Sequence, residues 1–311
     1  MKQRGANKKT WSPEPTQKNG VTPKSQTSRE NVLNIIIMKN LKLLSLIIAF
    51  TCILCVNNLF GQGAYVNINA GYGLNMSSQN LYYFDFYNST SGSNSYTYEQ
   101  VNVSLGKGLN LGGAFGYMFN ENIGVELGIS YLLGGKSKAK NTYIGGTTDY
   151  TLSSKMLRIN PSLVIASGFE KINPYAKFGL VIGSGSIMCE YNDNDDGDIL
   201  VMKMKLNGGI ALGLSSGIGA MFNLSDNMSF FGELNMVNLS YAPTKGEVTE
   251  ATYNGVDELP DLTTSEKEIE FVDSYTYNSS NPPADSQPSK ELKQKLPFGS
   301  FGVNIGLRIN F

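Results

Sequence analysis

Histidine is absent from this sequence of 311 residues, which excludes every catalytic arrangement that needs an imidazole as general base. An enzyme without histidine could use a pair of carboxylates, but no such pair stands out. We therefore expect no enzymatic activity, with no catalytic residue, no metal site and no cofactor.

Cysteine is also scarce. Of the three cysteines, Cys52 and Cys55 lie in an apolar run near the N-terminus, which leaves Cys189 alone in the remainder of the chain. No internal disulfide can form there. If this part of the chain is exported, its stability must come from the fold itself.

The sequence contains only one long apolar run. A bundle of transmembrane helices is therefore excluded, because it needs several such runs. That run belongs to a segment that starts at Met38. Lys39 and Lys42 precede an apolar stretch at residues 43–56, and polar and small residues follow at 57–61. This layout is typical of a secretory signal peptide, expected to be helical, over residues 38–61. A membrane anchor or buried helix is the competing interpretation, but the run is short for a span.

Residues 1–37 are polar, contain seven Lys/Arg against two Glu, and show no periodicity. We expect them to be disordered, or to be upstream sequence if translation begins at Met38; a long n-region of the signal is the alternative. Residues 62–311 would then be the mature domain. Removal of residues 1–61 leaves an acidic chain, which argues against nucleic-acid binding.

Glycine and aromatic residues are abundant, with 34 Gly, 17 Tyr and 15 Phe, whereas charged residues make up only 16%. The last eleven residues alternate strictly between apolar and polar or small side chains, which predicts a β-strand with two different faces. The apolar positions of this strand are Phe301, Val303, Ile305, Leu307, Ile309 and Phe311.

Similar alternation recurs upstream and predicts eight strands in total. The other seven segments are residues 64–75, 108–119, 122–133, 155–166, 173–183, 202–214 and 228–239. The connections at 120–122, 167–172 and 223–227 are short, whereas those at about 76–100, 134–153, 184–200 and 241–297 are long. Short turns at one end and long loops at the other are typical of outer-membrane barrels.

The polar positions of these strands are mostly Gly, Asn, Ser and Ala, which suit the narrow interior of an eight-stranded barrel. The apolar positions are rich in Leu, Ile and aromatics and suit lipid, although scattered core aromatics are the alternative for each ring taken singly. Aromatic girdles are expected near strand ends, where the sequence has Tyr72, Tyr117, Phe119, Tyr131 and Phe222.

With these features the chain resembles the small outer-membrane β-barrel superfamily, which includes OmpA-like, OmpX-like and OmpW-like proteins. The resemblance implies an eight-stranded antiparallel, transmembrane, up-and-down β-barrel in the bacterial outer membrane. It also implies that the final strand, which matches at every alternate position from Phe301 to Phe311, is an insertion signal read by the barrel-assembly machinery. The expected surroundings are outer-membrane lipid.

Five charged residues fall on the polar face of five predicted strands, namely Glu126, Arg158, Lys177, Glu233 and Arg308. Unpaired charges in a dry lumen would be costly, so we expect these side chains to pair with each other. Such a network favours a plug that closes the barrel, and a gate or narrow conduction path is the alternative.

The third long connection carries an acidic cluster, and Asn192, Asn194, Asp196 and Gly197 fit the start of a calcium-binding loop. Lys203 occupies the twelfth position, where a bidentate Glu is required. We therefore interpret the cluster as a solvated acidic tip.

The connection at about 242–297 has eleven Asp/Glu against five Lys. The predicted barrel is compatible with two classes of function. The first is a structural or surface-interaction role, in which acidic loops contact an extracellular ligand. The second is transport, through a narrow porin-like channel or an OmpW-like conduit. A conduit for apolar molecules would need an apolar patch inside the barrel, and the predicted inward face is polar.

Overall fold

The computed structural model describes residues 63–81, 86–280 and 282–311. The predicted extension at 1–37 and the predicted signal peptide at 38–61 lie outside these residues. Within the described ranges, no helix has the length and apolar character needed to cross a membrane.

The described chain is all-β, as expected, with one short helix and one 3-10 turn. The 3-10 turn is Leu259–Asp261 and the helix, α1, is Thr264–Lys267. The strands are β1 Gly63–Asn75, β2 Gln79–Asn80, β3 Tyr87–Ser91, β4 Tyr96–Gln100, β5 Asn102–Val103, β6 Gly108–Met118, β7 Ile123–Gly134, β8 Ser137–Tyr143, β9 Gly146–Ala166, β10 Ile172–Asp195, β11 Asp198–Asn207, β12 Ala211–Ser225, β13 Met228–Tyr241, β14 Lys245–Tyr253, β15 Val256–Asp257, β16 Glu268–Val272, β17 Ser289–Leu292, β18 Leu296–Pro297 and β19 Ser300–Asn310.

A closed ring of antiparallel pairings runs through eight of these strands. Its order is β1, β6, β7, β9, β10, β12, β13, β19 and back to β1. Short turns join β6 to β7, β9 to β10 and β12 to β13 at one end, the short-turn end; long connections leave from the opposite end, the long-loop end.

The expectation of eight strands is too simple, because much of the long connections is itself strand. Beyond the ring, β9 and β10 continue and pair with each other up to Gly146 and Asp195. Further strands join them to form an outer sheet of order β4, β3, β8, β9, β10, β11, β14, β16, β17. Backbone N–H and C=O groups must be paired wherever they are buried. Extension of the sheet pairs these groups in the long connections and so orders the connections.

The sixth predicted strand, at 202–214, is corrected by the structure because it straddles two strands. Gly208 and Gly209 have φ angles of +78° and +76°, a left-handed conformation that glycine adopts at little cost. There the chain leaves β11 of the outer sheet and enters β12 of the ring. The turn residues that mark the break, a Gly pair, lie inside the alternating segment.

The outward face of the ring is apolar over a limited band and then becomes polar. In β9 the outward residues Leu157, Ile159, Leu163 and Ile165 are exposed, whereas outward Lys155 begins the polar part of the strand. The other ring strands have corresponding bands, which are 64–74, 109–119, 123–133, 172–182, 212–222, 228–236 and 301–311. Each band is about 9 to 11 residues long, the length of a transmembrane β-strand.

Aromatic side chains border this band at both ends. At the short-turn end, the Tyr117 and Phe119 rings meet edge to face at a centroid distance of 5.7 Å, and Phe222 lies 6.5 Å from Phe230. At the long-loop end, Tyr72 and Tyr131 are exposed on the outward face.

The inward face is not polar throughout, which corrects the sequence-based expectation. At the long-loop end, inward side chains such as Leu132, Val181 and Leu239 pack with residues of the long connections in an outer core. A second apolar group, the inner core, fills the short-turn end and consists of Tyr65, Met118, Val164, Ala166, Tyr175, Met221 and Phe231.

Candidate functional site

Between the two apolar cores, three charged side chains meet in the lumen and form the lumen charge cluster, Glu126, Lys177 and Glu233. The Nζ atom of Lys177 lies 2.8 Å from Oε1 of Glu126 and 3.3 Å from Oε2 of Glu233. The three come from β7, β10 and β13, so one lysine links three strands of the ring. The lysine side chain is 16% exposed and each glutamate 8%.

Neutral donors complete the bonding of both carboxylates. Glu126 accepts hydrogen bonds from the Tyr65 hydroxyl at 3.0 Å and from Nδ2 of Asn67 at 2.8 Å. Glu233 accepts corresponding bonds from the Tyr175 hydroxyl at 3.0 Å and from Nδ2 of Asn304 at 3.2 Å. Each carboxylate therefore has a cation and two neutral donors, which offsets its loss of hydration.

The two arginines that were expected to pair with the other lumen charges, Arg158 and Arg308, are not part of this cluster. Arg308 stacks on the Tyr65 ring with its Cζ atom 3.5 Å from the ring centroid, and its Nε donates to Oδ1 of Asn310 at 2.8 Å. Arg158 makes one long hydrogen bond, 3.4 Å from Nη1 to Oδ1 of Asn110. Among the described residues, neither arginine lies within ion-pair distance of a carboxylate, so the expected mutual pairing extends to three of the five charges.

A polar cavity of about 110 Å³ lies in the lumen beside the charge cluster. Besides the cluster itself, its lining includes Arg158 and the small polar side chains of Asn69, Asn110, Ser130, Asn160, Ser162, Ser215, Asn235, Ser300 and Asn304. A single water molecule needs about 10–15 Å³ of free cavity space, so the cavity has room for several.

The inner core occupies the interior of the ring at the short-turn end. Tyr65, Tyr175 and Phe231 are at most 6% exposed, and Lys177 lies over the Tyr175 ring at 5.2 Å. Only about 10 Å³ of free space remains between this layer and the charge cluster, which is about the volume of one water molecule.

The outer core occupies the opposite end and includes side chains from the long connections. Phe86, Leu105 and Phe298 are at most 1% exposed. They are held to ring strands by bonds such as Phe298 N–H to the Leu239 carbonyl, 2.8 Å, and Ser154 hydroxyl to the Leu105 carbonyl, 2.7 Å. Burial of each such side chain contributes about 1.5–3 kcal/mol.

A signal for this outer core is present in the sequence. Where strict alternation gives way to consecutive apolar residues, both faces of a strand are buried or covered. Such runs occur at the long-loop ends of ring strands, at residues 131–133, 156–157, 180–182 and 236–237. The alternating pattern identified only the outward residues of these runs, and the prediction of a polar interior omitted their inward residues.

The final strand β19 lies between β1 and β13, with Leu307 opposite Ile68 on one side and Phe230 on the other. All six side chains of the predicted insertion signal point outward, and their exposure runs from 36% at Leu307 to 76% at Phe311. Asn304 and Arg308 of the same strand point into the lumen.

The acidic tip with the partial calcium pattern is a tight hairpin between β10 and β11. Asp196 and Gly197 form its two-residue turn with positive φ angles, and Asp193 accepts hydrogen bonds from the hydroxyls of Thr148 and Tyr143. Within the described part of the chain, no group of three or more acidic or cysteine residues is placed to hold a metal ion.

The 242–297 connection supplies β14 to the outer sheet and packs Phe271 and Leu296 into the outer core. At the tip of β14, Asn254 bonds the Asp198 carboxylate at 2.9 Å. Hydrogen bonds from Asn254 and Tyr253 lower the pKa of Asp198 below its usual value, so this contact weakens when acid protonates the carboxyl group.

Comparison with known proteins adds a family match. A family model of the outer membrane protein beta-barrel domain matches residues 52–257. Among solved structures, the chain is similar to the outer membrane protein OprG from Pseudomonas aeruginosa, with 13% identity over 81% of this chain and 97% of that one and a TM-score of 0.37. Acinetobacter baumannii CarO is also 13% identical, over 81% of this chain and 98% of that chain, with a TM-score of 0.27. No curated protein matches significantly.

Proposed function

Because the chain belongs to the outer membrane protein beta-barrel domain family, a family of the bacterial outer membrane, we propose that its eight ring strands cross the lipid as a closed up-and-down barrel. The apolar outward bands of about 9–11 residues support this proposal, since that length spans the hydrocarbon core. Residues 38–61 would export the chain as a signal peptide.

We propose further that the lumen is plugged and that the protein has a structural or surface-interaction role without catalysis. The observation that supports this proposal is the order of the layers along the lumen. An apolar core lies at each end, and the hydrogen-bonded charge cluster lies between them. A conducting path would require a continuous wet channel, which these layers interrupt. Both carboxylates of the cluster form ion pairs with Lys177, which supports a structural role for them.

The surface role would rest on the outer sheet, which projects from the long-loop end. Exposed tyrosines, Tyr96 and Tyr98 of β4, are 72% and 63% exposed, and the 242–297 connection carries the acidic excess. Aromatic side chains are frequent anchors of protein interfaces. An extracellular ligand recognised through these loops is the partner that we propose.

A narrow channel is the second candidate, and the polar cavity is the observation that favours it. An OmpW-like conduit is supported less, because the inward apolar residues of the outer core are packed against the long connections rather than free to accept a ligand.

Conductance in a planar bilayer separates the two candidates. We expect the wild-type protein, shown to be folded by its heat-dependent mobility in SDS, to give no discrete openings. Openings whose cation selectivity rises in an Asn304→Asp variant, which adds a negative charge to the cavity, would instead establish a path through the lumen and contradict the plug.

Assembly through β19 is tested by replacing its last outward side chain. We propose that the barrel-assembly machinery reads this strand, so Phe311→Gln is expected to reduce the amount of heat-modifiable protein in the outer membrane several-fold. The matched control is Phe222→Gln, which changes an exposed phenylalanine at the same end of the barrel on β12. Equal loss in both variants would mean that the aromatic girdle, and not the strand signal, is responsible.

A further inference from the structure

Arg158 is a buried cation without a counter-charge among the described residues. The side chain projects from β9 into the lumen, the residue is 2% exposed, and its Nε and Nη2 atoms have no hydrogen-bond partner. Arginine cannot avoid the cost of burial by releasing its proton, and an unpaired buried charge costs several kcal/mol.

Its distance from the charge cluster explains why the chain's own carboxylates do not neutralise it. On β9 the residue opposite Glu126 is Ser162, four positions from Arg158, which corresponds to about 13 Å along the strand. Glu126 and Glu233 are also already bound to Lys177.

The sum of the formal charges in the lumen also indicates that Arg158 lacks a counter-charge. The charge cluster has two carboxylates and one ammonium. The Arg308 guanidinium stacks on the ring of Tyr65, whose hydroxyl bonds Glu126, so it formally offsets the excess negative charge of the cluster without forming an ion pair. With Arg158 included, positive charges therefore outnumber negative charges by one among these five lumen residues.

Space and donors for an anion are available beside it. Arg158 lines the polar cavity of about 110 Å³ together with Ser130, Asn160 and Ser215. Hydroxyl and amide groups can donate hydrogen bonds to an anion, and the cavity has room for a small ion together with several water molecules.

We propose that this cavity is a binding site for a small monovalent inorganic anion of the halide type, with Arg158 as its charge partner. The anion neutralises the lumen and fixes the Arg158 side chain between the outer core and the cavity. It is therefore expected to be a stabilising ligand of the folded barrel and not a transported solute.

The test is thermal unfolding of the purified, detergent-folded protein in sodium bromide or sodium chloride, against sodium gluconate at the same ionic strength. Because a ligand that binds only the folded state stabilises it in a saturable way, we expect the unfolding midpoint to rise to a plateau in halide and not in gluconate. Arg158→Gln is expected to abolish the difference. The matched control Lys155→Gln, which removes an exposed cation of the same strand, should retain it.

Diffraction from wild-type crystals grown with bromide gives a second readout that does not depend on whether the variant folds. An anomalous peak beside the Arg158 guanidinium is expected. Equal midpoints in halide and gluconate, with no bromide peak, would overturn the proposal and point to a carboxylate outside the described residues as the counter-charge. A halide effect that persists in Arg158→Gln would likewise overturn it.

Discussion

Replacing Lys177 by methionine is expected to destabilise the folded barrel by about 3–5 kcal/mol, the cost of removing one partner from a buried ion pair. Both Glu126 and Glu233 lose their cation in this variant and would remain in a layer where each is only 8% exposed. The tyrosine and asparagine donors that remain cannot supply the missing charge. The free energy of unfolding, measured by urea titration in detergent micelles, is the quantity to compare.

A triple variant distinguishes the loss of charge balance from the loss of packing. Glu126→Gln, Lys177→Met and Glu233→Gln together remove every charge of the cluster and keep the side chains close to their original volume. Since neutral replacement of a complete buried ion network often costs little, the triple variant should recover much of the stability lost in Lys177→Met. A single variant that loses less than about 1 kcal/mol would mean that water reaches the cluster.

Arginine in place of Leu307 is expected to cost about 2–4 kcal/mol, because the side chain lies near the middle of the outward band of β19, where lipid would surround it. Leu307 is flanked by the outward apolar residues Ile68 and Phe230, so a charged group there has no polar neighbour. The same urea titration, performed in lipid vesicles, measures the effect.

Two matched variants test the assignment of faces. Ser184→Arg introduces the same side chain at an exposed outward position just beyond the apolar band of β10, where the cost should fall to about 0–1 kcal/mol. Asn304→Ser changes the inward face and should cost about 1 kcal/mol, because one hydrogen bond to Glu233 is lost. Equal tolerance of Arg at positions 307 and 184 would contradict a lipid-facing outward side.

Alternation of side chains predicted much of the ring, because it reports directly on which face of a strand is apolar. Seven of the eight predicted segments lie on one ring strand each, and the sixth was wrong because alternation continues across Gly208 and Gly209. The resemblance to outer-membrane barrels is confirmed by the family match. The inward placement of Glu126, Lys177 and Glu233 followed from the same alternation.

Periodicity carries no information on which distant residues share a level of the barrel, and this is why the partners of the charges could not be predicted. Lys177 reaches Glu126 and Glu233 because the pairing of β9 and β12 with their neighbours places the three residues within two positions of one level. The same pairing leaves Arg158 four positions, or about 13 Å, along β9 from the residue opposite Glu126. Tyr65 and Tyr175 each bond a carboxylate across one intervening strand, β6 and β12 respectively, and the sequence does not state that these strands are neighbours.

The sequence by itself determined that the chain is all-β, where most ring strands run, and which of their faces is the outward apolar one, since these properties depend on neighbours one or two residues apart. Tertiary structure alone decided that the long connections continue the sheet, that Phe86, Leu105 and Phe298 pack into the outer core, and that one arginine has no counter-charge among the described residues. Those outcomes depend on contacts between residues tens to hundreds of positions apart. A local pattern can indicate that a strand face is covered, but it does not specify which distant residues cover it.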